Sequence, residues 1–276
     1  MKATGFVMAG LSLRFMAGAV SAQPENGTAT DPVLRQVVRA PDKKIVYKTT
    51  TEGDLALHLY FPKDWKFSDQ RRAMLFFHGG GWTGGKPEQL FSRAAYFASR
   101  GLVTCSVEYR IRNVHHTTPE KCVEDSRSAV RYVRKNAAQL GIDPGTIIVA
   151  GASAGAHLAV CLGLIDVLDD PQDDKGISCC PQAIVLFGPC SDTSGHASRW
   201  KGSPLEARGK ELARSMSPMH NLAAIYASGG LGKVVENAFL DYTWRGSANL
   251  GVQHPIKGPV GWYGRTSIEI FGTDPA

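Results

Sequence analysis

A chain of 276 residues that is 43% hydrophobic and 20% charged can bury its own core without metals or disulfides, which excludes a disordered polymer. No stretch reaches the roughly 18 uninterrupted apolar residues of a spanning helix, which excludes a multi-span membrane protein. The formal charge of +6 is small and spread along the chain, so no nucleic-acid partner is expected.

Residues 1–22 combine Lys2, the apolar stretch GFVMAGLSLRFMAGAV and the small residues Val20-Ser21-Ala22, as a secretory signal peptide does. Cleavage after Ala22 removes Lys2 and Arg14, lowers the charge from +6 to +4, and leaves a secreted or periplasmic protein without membrane attachment. The polar, Pro/Thr-rich residues 23–43 are expected to be a flexible leader. The six cysteines show no C-x-x-C pair and no zinc-finger spacing. Cys105 and Cys161, in apolar runs, are expected as buried thiols, and Cys190 could bridge to Cys179 or Cys180 if the protein is exported.

The fold is expected to begin at Lys44. KIVYKT and LALHLYFP flank the turn TEGD and predict an antiparallel hairpin. AMLFFH is a short continuous apolar run, as in a strand buried on both faces. After the glycine-rich HGGGWTGG comes a helix over EQLFSRAAYFASR, then a strand over LVTCSVEY. Pro119 opens a long helix whose Cys122, Ser126, Ala129, Val133 and Ala137 form one buried stripe at three- and four-residue steps. Lys121, Arg127, Arg131, Arg134 and Lys135 are expected on its solvated face. Asp143-Pro144-Gly145 predicts a turn, TIIVA a strand, 154–167 a helix and AIVLF one more buried strand. Alternating strands and helices predict an α/β fold with a mostly parallel central sheet, helices on both faces and the hairpin at one edge.

Two motifs fall at the carboxyl ends of buried strands, where such sheets gather their chemistry. In GASAG, a serine framed by glycines between strand and helix sits on a sharp turn that exposes its Oγ at a helix N-terminus. In HGGGW, Gly79, Gly80 and Gly81 let main-chain N–H groups approach a ligand without Cβ obstruction. With the N–H of Ala154 they could hold an oxyanion. A phosphate loop is the competing reading of the glycines, but no Gly-Lys-Ser/Thr follows them.

The set HGGGWTGGKPEQ, VEYRI, EDSRSAVRYVR, GASAGAHLA and SPMHNL, over residues 44–222, resembles the α/β-hydrolase superfamily. Within it, the set is most similar to secreted acetyl or feruloyl esterases related to hormone-sensitive lipase. The resemblance implies a serine ester hydrolase with Ser153 as nucleophile and Gly80, Gly81 and Ala154 as oxyanion donors. It implies a small ester or acylated carbohydrate as substrate and needs no metal or cofactor. His78 is expected to brace its loop, Trp82 to pack beneath it, His157 to brace the serine turn and Asp125 to be a structural partner.

The acid and base should follow the nucleophile in the order Ser, Asp or Glu, His. Residues 223–276 lack the stretches that usually carry them, so this segment reads as an atypical or incomplete C-terminal part. Its candidates are Asp241 as acid and His254 as base. Asp274, at the end of SIEIFGTD, is a second possible acid, and Asp192 with His196 or His220 would require an altered order. A frame-shifted or truncated coding sequence would account for the loss of pattern, and with it an inactive α/β-hydrolase-like protein. An arylformamidase-like amide hydrolase is the other alternative.

Overall fold

The computed structural model describes residues 39–165 and 168–221, with the backbone of three further strands at 238–242, 248–252 and 268–272. The expected signal peptide and most of the leader lie outside the described residues. The leader's last residues already belong to the fold: the Arg39 guanidinium donates to the Phe61 carbonyl, and the Asp42 N–H donates to Leu59.

Strands β1 (Lys43–Thr50) and β2 (Gly53–Tyr60) form the expected hairpin, with Thr50 opposite Gly53. They are followed by β3 (Arg71–Phe77), helix α1 (Phe91–Ser99), β4 (Val103–Val107), a short helix α2 (Arg112–His115) and the long α3 (Pro119–Lys135). Then come β5 (Ile142–Ala152), α4 (Ala154–Leu164), β6 (Ala183–Phe187) and α5 (Gly209–Ser215). The last strands are β7 (Ala238–Tyr242), β8 (Ala248–Val252) and β9 (Ile268–Gly272). The expected turn at 143–145 lies inside β5, where the Gly145 N–H bonds the Asp143 carboxylate and the pairing with β3 shifts register.

The main sheet runs β1-β2-β4-β3-β5-β6-β9. β4, β3, β5 and β6 are mutually parallel, and the hairpin joins antiparallel at the β4 edge. Alternation along β3 builds a core on each face of the sheet. Met74 and Phe76 pack with Ala94, Ala95 and Ala98 of α1, whereas Leu75 and Phe77 pack with Val123 of α3 and Leu158 of α4. Full burial of a Phe or Leu side chain stabilises by about 1.5–3 kcal/mol, so a strand buried on both sides anchors both layers. The stripe on α3 is confirmed: Cys122, Ser126 and Ala129 are fully buried and Val133 nearly so.

Three expectations are corrected. Arg127 and Arg131 do not face solvent: both are buried and pair with Asp169, and Arg131 also with Asp173, in the segment after α4. A cation on a helix has the same sequence signature whether water or a distant carboxylate satisfies it. Lys121 and Arg134 are only half-exposed, and Lys135 alone is fully on the surface. All six cysteines are free, so no bridge joins Cys190 to Cys179 or Cys180. Finally, β9, the strand in SIEIFGTD, joins β6 antiparallel, with Gly272 opposite Ala183. Its carboxyl end therefore points away from the end of the sheet that carries Ser153, where a fold-typical acid would have to stand. Among the described residues no helix is long and apolar enough to cross a membrane.

Candidate active site

Ser153 follows the last residue of β5 and caps α4, and its backbone has φ 52° and ψ −116°. A non-glycine residue in this region carries roughly 1–3 kcal/mol of strain, which the surrounding structure must hold. Two constraints do so. The Ser153 N–H donates to the Phe187 carbonyl at the end of β6 (2.9 Å), and its own carbonyl accepts the His157 N–H (3.0 Å). The glycines of the motif follow from crowding: a Cβ on Gly155 would lie 2.0 Å from the Phe77 carbonyl oxygen of β3. Ser153 itself is exposed, although the residues from Ala154 to Leu162 are buried. The Ala154 N–H belongs to the first turn of α4, whose donors have no acceptor within the helix.

HGGGW leaves β3 beside this turn. A Cβ built on Gly79 would stand 3.4 Å from the Ser153 Cβ and 3.0 Å from the Ala152 carbonyl, so the loop and the serine turn are in contact. Gly80 has φ 133° and its carbonyl accepts the N–H groups of Thr83 and Gly84, while Gly81 has φ 60°. At Gly80 any side chain would run into the Gly84 backbone at 2.1 Å. The loop doubles back on itself in a way only glycine permits.

Three side chains tie the parts together as expected. His78 is buried, its Nδ1 lies 2.9 Å from the Gly79 carbonyl oxygen, and its ring stacks on Tyr109, whose hydroxyl donates to the His78 carbonyl. Trp82 lies under the loop at 4% exposure, and its indole Nε1 donates to Nδ1 of His157 (3.3 Å). His157 in turn donates from Nε2 to the Met216 carbonyl (2.8 Å). Both ring nitrogens thus have roles that only the neutral tautomer protonated at Nε2 can fill. Complete burial holds its pKa down at about 4. Trp82, His157 and Met216 connect the HGGGW loop, the helix after the serine and the segment after α5.

Asp125 is fully buried and does more than serve its own helix. Its carboxylate accepts from Nε and Nη2 of Arg110 (both 2.8 Å), from the Arg110 N–H and from Lys48. This charge cluster fixes the VEYRI stretch and the hairpin against α3.

The candidate acids and bases are distributed differently. Asp192 and His220 meet each other through Ser217, whose Oγ lies 3.2 Å from the Asp192 carboxylate and 2.9 Å from His220 Nδ1. His196 lies edge-on to Trp82 with ring centres 5.6 Å apart. Asp241 lies on β7, which pairs only with β8 in a separate two-stranded sheet, opposite Asn249. His254 and Asp274 lie outside the described residues. Arg199, which no sequence pattern singles out, has its guanidinium against Gly81 and over the Trp82 ring.

Comparison with known proteins falls on the same region. The BD-FAE family model matches residues 57–201. Arylacetamide deacetylase-like 2 of Homo sapiens is 35% identical over 156 residues, 54% of this chain and 36% of that protein. Carboxylesterase NlhH of Mycobacterium tuberculosis is 32% identical over 134 residues, 48% of this chain and 40% of that protein. The matched region thus spans well under half the length of these curated relatives. Among solved structures, esterase 2 of Thermogutta terrifontis in its apo form is 38% identical with a TM-score of 0.59, covering 66% of this chain and 67% of that one. The same esterase phosphorylated by paraoxon matches at 38% identity and a TM-score of 0.58, over 65% of each chain.

Proposed function

The chain belongs to the BD-FAE family, whose relatives here are esterases of the α/β-hydrolase fold, and from that premise we propose that it is a carboxylic ester hydrolase acting through Ser153. The observation that carries the reading is an exposed serine in a strained strand-to-helix turn, in contact with a glycine loop. The Ser153 Oγ attacks the ester carbonyl carbon, and the carbonyl electron pair moves onto oxygen. The main-chain N–H groups of Gly80, Gly81 and Ala154 receive that oxyanion, and each such donor contributes roughly 3 kcal/mol to the barrier. Collapse expels the alcohol and leaves an acyl-serine, which water hydrolyses to the free acid and regenerated serine. Asp241 and His254 are the proposed acid and base, in the chain order the fold uses. The proposed substrates are acetyl or feruloyl esters on a carbohydrate. Phosphorylation of the Thermogutta esterase by paraoxon supports the presence of an activated nucleophile in this architecture.

A fluorophosphonate probe should label the protein covalently, and Ser153→Ala should abolish both labelling and hydrolysis of p-nitrophenyl acetate. Equal labelling of the variant would overturn the assignment of the nucleophile.

A further inference from the structure

The 3₁₀ segment Ser194–Trp200, between β6 and α5, places a cation on the HGGGW loop. A Cβ built on Gly81 would meet Nη2 of Arg199 at 3.4 Å, with Cζ and Nη1 within 3.9 Å, so the guanidinium lies along one side of that residue. Its Cζ is 6.0 Å from the centre of the Trp82 ring. Cation–π packing of this kind holds an arginine in place without neutralising it. The main chain below is pinned as well: Arg112 donates from Nη1 to the Arg199 carbonyl (3.2 Å) and from Nη2 to the Lys201 carbonyl (2.5 Å). Arg199 is half-exposed, which leaves its donors open to a ligand.

Arg199 differs from the other arginines of the core in its partners. Arg110, Arg127 and Arg131 are each neutralised by buried or half-buried carboxylates. Among the described residues the ion pairs do not include Arg199. A guanidinium held beside a candidate oxyanion donor, oriented by an aromatic face and lacking a carboxylate of its own, is suited to take an anion from the ligand, because its fork of donors matches a carboxylate.

We propose that Arg199 is a specificity-determining residue that selects esters carrying a carboxylate group, on the acyl side or on the alcohol side, over neutral esters of the same size. The proposal rests on the ester-hydrolase reading for its kinetic consequence but not for the binding itself. Reaction at Ser153 is unchanged: the acyl–oxygen bond breaks as before, and the second carboxylate stays intact while Arg199 holds it.

The test uses the full chain with two esters of one leaving group, p-nitrophenyl butyrate and mono-p-nitrophenyl succinate. Arg199→Gln should lower kcat/KM for the succinate ester about tenfold and that for the butyrate ester less than twofold, while Arg199→Lys should retain part of the preference. A parallel fall for both esters, or no fall for either, overturns the proposal. Binding of succinamate, a non-hydrolysable carboxylate, followed by tryptophan fluorescence gives a second readout independent of turnover. If neither ester is hydrolysed by the unaltered protein, the ester-hydrolase reading fails, and Arg199-dependent succinamate binding still supports the anion site. Succinamate that does not bind, or binds Arg199→Gln equally well, overturns it.

Discussion

At the scale of single residues, the geometry around Ser153 depends on side chains that are absent and on one that is neutral. Gly155→Ala would place a Cβ 2.0 Å from the Phe77 carbonyl oxygen, a backbone atom of the central strand β3 that cannot step aside. Overpacking of this sort costs about 1–3 kcal/mol. We expect a fall of several degrees in thermal midpoint by circular dichroism, and an unchanged midpoint would mean that the turn can relax. His157 gives a pH dependence with a definite sign. Its pKa of about 4 in the fold lies below the ordinary value of 6.5, so the unfolded chain takes up a proton that the folded one refuses. The contribution to stability is intact above pH 6.5 and is lost as pH falls from there to about 4, by about 3 kcal/mol in all. Urea titrations between pH 7 and pH 4 should show a shallower decline for His157→Gln than for the unaltered protein.

At the scale of elements, the charged face of α3 is the main surprise. The helix has its apolar stripe where periodicity puts it, yet Arg127 and Arg131 are clamped to Asp169 and Asp173 rather than to water. Burial alone would raise the Asp169 carboxyl, but its bonds to Arg127 and Arg131 outweigh this and hold it below the ordinary carboxylate range. Removing one partner from a buried pair leaves the other charge stranded, typically at a cost of 3–5 kcal/mol. Because Asp169 keeps some contact with solvent, we expect about 2–3 kcal/mol for Asp169→Asn, measured by the shift in urea midpoint. A change under 0.5 kcal/mol would show that the clamp adds no more than a surface ion pair.

At the scale of the whole molecule, the sheet has an unequal pair of edges. The hairpin closes one edge with β1, a strand with mostly exposed side chains, while on the other side β6 is covered by β9, nearly a hundred residues later in the chain. Deleting residues 222–276 would leave the ladder of Ala183–Phe187 open along its whole length, and an unpaired apolar edge recruits other strands. The shortened chain should elute as dimers or larger species in size-exclusion chromatography at concentrations where the full chain is monodisperse. A monomeric shortened chain would show that β9 is not needed to protect the edge.

The amino-acid sequence by itself determined the α/β class, the parallel core strands, the hairpin, the serine turn and the contact-forming glycine loop. These depend on short-range features: apolar runs of strand length, a helical stripe, and small residues where backbones must nearly touch. Tertiary structure alone decided that Arg127 and Arg131 are paired, that Trp82 and His157 join the loop to the serine helix, that β9 runs antiparallel, and that Arg199 lies on Gly81. Each of these is a meeting of residues separated by tens of positions, settled by how the layers dock. A charged or aromatic side chain has the same local pattern whichever partner it finds, so its partner becomes legible only when the elements carrying the two are brought together.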